Sequence, residues 1–78
     1  MSKQLNVDLL RTFHAVARFR RFNEAAQHVH RSASTVTTQV QKLEALIGQR
    51  LFIRSNQGVE LTMYGKKLLS ETTDFLKS

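Results

Sequence analysis

The sequence has no cysteine, no proline and no tryptophan, and only three of its 78 residues are glycine. Without cysteine, the chain can form neither a disulfide nor a thiolate zinc site. No apolar run approaches the roughly 18 residues of a membrane-spanning helix, and the first eight residues, MSKQLNVD, lack the apolar stretch of a signal peptide. We therefore expect a soluble intracellular protein with no membrane partner.

Acidic residues are also scarce, because six Asp and Glu stand against twelve Lys and Arg, which gives a net charge of +6. This balance favours a polyanionic partner, through phosphate neutralisation and release of counterions. The alternative is a soluble basic protein with no anionic ligand. The placement of the arginines favours the first reading, since they bracket residues 32–47: Arg18, Arg20, Arg21 and Arg31 precede this segment, and Arg50 and Arg54 follow it.

The length and the 41% hydrophobic content predict a single small domain. Most of its apolar residues recur with helical periodicity. A first helix is predicted over about Asn6 to Phe19, with Asn6 as N-cap and one apolar face formed by Leu9, Leu10, Phe13, Val16 and Ala17. A short second helix is predicted over about Asn23 to His30. Asn23 could cap it, and the pair Ala25-Ala26 would allow a close approach to another helix.

The third predicted helix starts at the N-cap Ser32, runs to about Ile47 and ends before Gly48, which is suited to a left-handed C-cap. Its apolar stripe is Val36, Val40, Leu43 and Ile47. Uncharged polar side chains dominate the opposite side, which consists of Ser34, Thr38, Gln41, Lys42 and Ala45, flanked by Thr35 and Thr37. A short helix followed by a helix with such a face is typical of a helix-turn-helix, whose second helix enters the major groove of DNA.

A hairpin and a last helix complete the pattern. The strands Leu51–Arg54 and Val59–Leu61 flank a polar turn over Ser55–Gly58, and Thr62 caps a helix over about Met63 to Leu76. The apolar stripe of this helix extends beyond what a compact domain needs, which usually indicates a partner helix. We assign dimerisation to Leu68, Leu69, Thr72, Phe75 and Leu76.

The predicted fold is therefore mostly α, a winged helix-turn-helix with a three-helix core, a two-stranded wing and a C-terminal helix. Residues 1–62 would form the DNA-binding domain, with the helix-turn-helix at about 22–41, and residues 63–78 the linker and dimerisation helix.

Several short motifs occur in a fixed order along the chain: Leu43-Glu44, then Gly48 with Arg50-Leu51-Phe52 and Arg54, then Gly58, Leu61-Thr62 and Gly65. With Phe22, Ala25-Ala26 and Ser32 they resemble the N-terminal winged helix-turn-helix domain of LysR-type transcriptional regulators, over nearly the whole chain. The resemblance implies a bacterial, nucleoid-associated DNA-binding regulator that is a homodimer through its fourth helix. It also implies an effector domain with a small-molecule ligand, absent from this chain, which ends at Ser78.

The chain departs from the family pattern where DNA would be read. Ala33-Ser34 stand where the family often has Gln-Pro, Thr38 stands where an arginine is common, and Arg31 replaces the usual aliphatic residue of the turn. The apolar stripe of the third helix is retained, so the fold is expected to be the same. Base preference cannot be transferred from the family.

The residues expected to contact DNA lie on the third helix, the turn before it and the wing. Thr37 and Thr38 should meet base edges, since the first turns of a recognition helix do so. Ser34 and Thr35 should contact bases or phosphate, and Arg54 phosphate or the minor groove. The full predicted set is Arg31, Ser32, Ser34, Thr35, Thr37, Thr38, Gln41, Lys42 and Arg54, in which Arg31, Gln41 and Lys42 are phosphate contacts.

Other functions have less support in the sequence. His28 and His30 would lie about 200° apart on a helix, with no carboxylate to complete a metal site, and no spacing suggests a catalytic group or a cofactor. We therefore expect no enzyme, metal or cofactor. RNA binding lacks an aromatic platform, because Phe13, Phe22 and Phe52 are expected in the core. The remaining alternative is a winged-helix protein-interaction module that does not bind DNA.

Overall fold

The computed structural model describes the backbone of residues 7–77 and the side chains of residues 7–73. This part of the chain forms four helices and one antiparallel hairpin: α1 (Val7–Phe19), α2 (Phe22–His28), α3 (Ala33–Ile47), β1 (Phe52–Ser55), β2 (Gly58–Leu61) and α4 (Met63–Lys77). The predicted winged helix-turn-helix is confirmed. The predicted N-cap Asn6 lies outside the described residues.

The core is built around α1, which contacts α2, α3, α4 and β2. Phe13, Val16, Val36, Leu43 and Leu51 are fully buried at its centre. Burying a side chain of this size stabilises the fold by about 1.5–3 kcal/mol, so these five dominate the packing energy. The predicted apolar stripes of α1 and α3 are thus the surfaces that meet.

Phe13, Phe22 and Phe52 pack in the core as predicted, but Phe22 is less buried than the other two. Phe13 and Phe52 are buried, and their ring centroids are 5.3 Å apart. Phe22 is half-buried, and its ring meets that of Phe52 edge-on at 6.5 Å. The core therefore uses all three rings, and the outer side of Phe22 stays accessible.

The second helix differs from its predicted bounds at both ends. It begins at Phe22, because the extended Arg21 occupies the N-cap position, so the prediction that Asn23 caps it was wrong. It ends at His28, because His30 adopts a left-handed conformation with φ of 60°. The Arg31 N–H then donates to the Ala26 carbonyl at 2.9 Å and the His30 N–H to that of Gln27 at 3.2 Å. This is a Schellman motif with histidine in place of glycine.

Both predicted caps of α3 are confirmed. The Ser32 hydroxyl accepts a hydrogen bond from the Thr35 N–H at 3.1 Å, which satisfies one of the free donors of the first turn. Gly48 has φ of 81°, and its N–H donates to the Glu44 carbonyl at 2.8 Å. Local sequence signals therefore determine where this helix begins and ends.

The hairpin is paired from Phe52 with Leu61 to Ser55 with Gly58, so its turn is the dipeptide Asn56-Gln57. The chain leaves β2 directly into α4. There the Thr62 hydroxyl donates to the Arg50 carbonyl at 2.6 Å and accepts from the Gly65 N–H at 3.1 Å. The predicted cap at Thr62 is confirmed, and it also ties the base of the wing to the start of α4.

The first half of α4 packs on its own domain. Leu68 and Leu69 are half-buried against the core, and the Thr72 hydroxyl hydrogen-bonds to His14 at 2.6 Å. The side chains of Phe75 and Leu76 lie outside the described residues. Dimerisation through the stripe stays a prediction, but three of its five members have intramolecular contacts. Among the described residues, no helix is long and apolar enough to cross a membrane.

Candidate nucleic-acid interface

The face of α3 opposite its buried stripe is accessible, as the sequence predicts. Val36, Val40 and Leu43 are at most 4% exposed. The exposed side chains on the other side of the helix are Ser34, Thr35, Thr38, Gln41, Lys42 and Ala45, and Thr37 beside them is half-buried. With one cation among these side chains, the surface consists mainly of hydroxyl and amide groups that can both donate and accept hydrogen bonds.

Three hydroxyl groups form a cluster at the start of α3. The Ser32 hydroxyl lies 3.2 Å from the Ser34 hydroxyl and donates to Thr35 Oγ1 at 2.9 Å, besides accepting from the Thr35 N–H. Ser32 therefore caps the helix, and its predicted contact with DNA stays a prediction. Ser34 and Thr35 are the hydroxyl groups of this turn that are best placed to meet a ligand.

Gln39 lies to the side of this face and anchors the helix. Its Oε1 accepts from the buried Thr12 hydroxyl at 2.5 Å, and its Nε2 donates to Asp8 Oδ2 at 3.3 Å. Both partners belong to α1. Gln39 therefore supports α3 from the side, and the rotation of α3 about its axis is fixed by polar contacts as well as by packing.

The wing brings a cation next to α3. The Arg54 guanidinium carbon lies 5.0 Å from the centroid of the Phe22 ring, a cation–π contact on the accessible side of that ring. A groove of about 570 Å³ runs between the starts of α2 and α3 and the wing, and Arg20, Arg21, Thr37 and Arg54 line it. Thr37 and Arg54 also line a second hollow with Gln41 and Arg50. Thr37 and Gln41 of the helix and Arg54 of the wing thus share one side of the molecule.

Arg20 anchors the wing, a role that sequence reasoning missed. It has φ of 60°, its carbonyl accepts from the Val59 N–H at 3.0 Å, and its Nε donates to the Val59 carbonyl at 3.3 Å. A Cβ added at Gly58 would lie 2.8 Å from the Arg20 carbonyl oxygen. The corner between α1 and α2 therefore holds β2 directly. A non-glycine residue with positive φ leaves no signal in hydrophobic periodicity.

The remaining arginines near α3 are partly neutralised. Arg31 forms an ion pair with Asp8 at 2.9 Å. Arg50 pairs with Glu44 at 3.9 Å, with 77% of its side chain exposed. The Glu44 carboxylate has a stronger role in the fold, because its Oε2 accepts from the Leu51 N–H at 2.7 Å and the Phe52 N–H at 3.3 Å. It satisfies donors at the point where the chain enters β1.

The rings of His14 and His28 contact neighbouring side chains of the fold. Thr72 donates its hydroxyl proton to the Leu68 carbonyl at 2.7 Å, so His14 Nε2 is the donor in the bond to Thr72. Burial lowers the pKa of His14 below its ordinary value of 6.5, because it penalises the charged ring. The ring of His28 packs on Phe19, with centroids 5.1 Å apart. No cluster of three potential metal ligands occurs among the described residues.

Comparison with known proteins assigns the chain to a family. The family model described as bacterial regulatory helix-turn-helix protein, lysR family, matches residues 7–66, which include α1, α2, α3 and the hairpin. The chain belongs to this family. Its helix-turn-helix is the pair α2 and α3, and the family resemblance expected from the sequence is confirmed.

Similar lysR-family proteins are transcriptional regulators by name. The HTH-type transcriptional regulator DgdR of Burkholderia cepacia is 36% identical over 77 residues, which are 99% of this chain and 26% of that protein. The HTH-type transcriptional regulator PecT of Dickeya dadantii is 44% identical over 73 residues, 94% of this chain and 23% of that protein. The chain thus spans about a quarter of the length of these relatives.

A solved structure matches almost the whole chain. The crystal structure of the CbnR DBD–DNA complex superposes with a TM-score of 0.87 at 36% identity, covering 94% of this chain and 84% of that one. This lysR-family chain therefore has the fold of the family's DNA-binding domain.

Proposed function

We propose that this chain binds double-stranded DNA sequence-specifically, as the DNA-binding domain of a bacterial LysR-type transcription regulator. The observation that carries the proposal is the accessible hydroxyl and amide face of α3, which is held outward by the burial of Val36, Val40 and Leu43. An α-helix fits the major groove, where such groups can read base edges. The matches to transcriptional regulators and to a protein in complex with DNA support it.

The contact residues divide by their chemistry. Thr38 and Thr37 face base edges, where threonine can exchange hydrogen bonds and place its methyl group on that of thymine. Ser34 and Thr35 contact bases or the nearest phosphate from the first turn of α3. Gln41 and Lys42 contact phosphate further along the helix, and Arg31 contacts phosphate from the turn before it. Arg54 reaches phosphate or the adjacent minor groove from the wing.

The regulator acts as a homodimer through α4, so that two copies of α3 enter successive major grooves. Half-sites should then be separated by about 10 bp, one helical turn, or by a multiple of it. A following effector domain would bind a small molecule, and the complete protein would reside in the bacterial cytoplasm at the nucleoid. The chain itself is not an enzyme in this proposal, because its contacts only position and read DNA.

The test is the salt dependence of binding to a pool of mixed duplex DNA, followed by fluorescence anisotropy. Each phosphate neutralised should contribute about −0.9 to the slope of log affinity against log salt concentration. We expect a steep negative slope, equivalent to several phosphates. A slope near zero, or no shift of the pool in a gel, would reject DNA binding in favour of a protein-interaction module.

A further inference from the structure

The turn of the helix-turn-helix is closed against α1 by a carboxylate. Asp8, in the first turn of α1, faces Arg31, the residue before the N-cap of α3. Arg31 donates from one terminal nitrogen to Asp8 Oδ1 at 3.0 Å, and the same nitrogen lies 2.9 Å from Oδ2 in an ion pair. Asp8 Oδ2 also accepts from Gln39 of α3 at 3.3 Å. One carboxylate therefore contacts both the turn and the helix that we propose to enter DNA.

This ion pair is accessible to solvent and to a competing anion. The side chain of Arg31 is 34% exposed and that of Asp8 is 48% exposed. A pair at this exposure contributes little to folding, because water screens it and because ordering two side chains costs entropy. Its main effect is on the charge that the turn presents. An arginine already paired with a carboxylate attracts phosphate less, and fewer counterions leave the DNA when its phosphate binds there.

We propose that Asp8 is an intramolecular counter-charge that lowers the affinity of this chain for DNA of any sequence by holding Arg31. The proposal rests on the proposed function, since it concerns how strongly the same surface binds. A phosphate beside the turn must either break the ion pair between Arg31 and Asp8 or lie close to the Asp8 carboxylate. Both cost free energy, so both lower the affinity for DNA. Removing the charge leaves base choice untouched, because the base-facing side chains lie on α3 and the contact between Asp8 and Gln39 needs an acceptor oxygen rather than a charge.

The test is Asp8→Asn, which removes the charge and keeps an oxygen that can accept from Gln39. Against a mixed duplex at low salt, we expect affinity to rise on the order of three- to tenfold, and the slope of log affinity against log salt to become more negative by about 0.9, the value for one phosphate. The motif selected from a random pool should stay the same. Asp8→Glu, which keeps the charge, should bind like the parent.

A double-mutant cycle with Arg31→Gln identifies the partner through which Asp8 acts. Arg31→Gln should weaken binding, and in that background Asp8→Asn should have much less effect than in the parent. Glu71→Gln is the matched control, since it removes one negative charge from an exposed position on α4. It should leave affinity within twofold of the parent, with the dimer fraction checked by sedimentation.

The outcomes separate this proposal from the one on which it rests. If the parent binds DNA with a steep salt slope and Asp8→Asn leaves affinity unchanged or lowers it, the counter-charge is refuted and DNA binding stands. An equal gain with and without Arg31 would also refute it, because the effect would then be net charge alone. A parent that binds no DNA overturns both proposals. A changed base motif in Asp8→Asn would show that the charge of Asp8, and not only its contact with Gln39, orients α3, and would overturn the counter-charge.

Discussion

Thr38 is exposed and lies in the second turn of α3, so its side chain can be removed without disturbing the core. Thr38→Ala should change the base preference of the selected motif at one position per half-site. Stability should hold or rise slightly, because alanine is the better helix former. Selection of bound oligonucleotides from a random pool measures the first effect, and urea unfolding the second. Ser70→Ala, which removes an exposed hydroxyl from α4, is the control, and an identical motif in all three proteins would remove Thr38 from the base-reading set.

Glu44 shows how a charged residue can serve the fold rather than the ligand. Its side chain is 16% exposed, and its Oε2 accepts the N–H groups of Leu51 and Phe52. Glu44→Ala should destabilise the domain by about 1–3 kcal/mol, because it leaves partly buried donors without an acceptor. Glu44→Gln keeps one acceptor oxygen and should cost less. Urea unfolding compares the two.

Arg50→Gln is the control for the ion-pair contribution of Glu44. Since Arg50 is largely exposed and 3.9 Å from the carboxylate, we expect a change within about 0.5 kcal/mol. If Arg50→Gln cost as much as Glu44→Ala, the ion pair and not the backbone contacts would explain the role of Glu44.

Among the elements, α4 has in its first turn a glycine whose role is steric. Gly65 lies in the first turn of the helix, where alanine would ordinarily add about 1 kcal/mol of stability. A Cβ at this position would overlap the Leu51 carbonyl oxygen, which also accepts the Thr62 N–H at 3.0 Å. Gly65→Ala should therefore destabilise the domain by roughly 1–3 kcal/mol, the range for forcing atoms into a packed site.

Gly48→Ala provides the comparison for Gly65→Ala. None of the described atoms lies within 4 Å of a Cβ built on Gly48, but φ is 81°, so only backbone strain of about 1–2 kcal/mol applies. Thermal and urea unfolding should rank Gly65→Ala as the less stable variant. A Gly65→Ala protein as stable as the parent would show that the wing and α4 can separate at no cost.

Element by element, the sequence predicts best where local signals and packing agree. The stripe Val36, Val40 and Leu43, with Ser32 and Gly48 at the ends, determines the bounds and the exposed face of α3. The ends of α2 were mispredicted because a left-handed His30 and an uncapped start leave no mark in local composition. A helix of seven residues also has too few positions for periodicity to define it.

Contacts between residues far apart in the sequence could not be predicted. The pair Asp8 and Arg31 spans 23 positions and the clamp of Arg20 on Val59 spans 39. Neither spacing belongs to a single helix or hairpin. The sequence alone therefore does not distinguish Arg20 from Arg31. In the structure, Arg20 contacts the wing and Arg31 forms an ion pair beside α3.

Taken as a whole, the molecule uses α1 as the frame on which its binding elements are set. Thr12 and Asp8 of α1 position α3 through Gln39, the corner at Arg20 positions the wing, and His14 contacts α4 through Thr72. Hydrogen bonds thus tie α3, the wing and α4 to α1 or to the corner that follows it. A rigid arrangement is what two linked copies would need to match two half-sites at a set spacing.

The proposed self-association would link this fold to paired half-sites. Phe75 falls in the apolar stripe of α4 that continues past Leu68 and Leu69, which already pack on their own core. Phe75→Asp should lower the dimer fraction in sedimentation and reduce cooperative binding to a duplex with two half-sites, because a charge disfavours an apolar helix interface. Affinity for a single half-site should change much less.

Ser70→Asp is the matched control, because it adds the same charge to the exposed side of α4, about 180° from the stripe. It should leave the dimer fraction of the parent unchanged. If Phe75→Asp also sediments like the parent, α4 is not the interface, and the paired grooves of the proposed function would require another contact between copies. If both variants dissociate, net charge on α4 rather than the apolar stripe controls assembly.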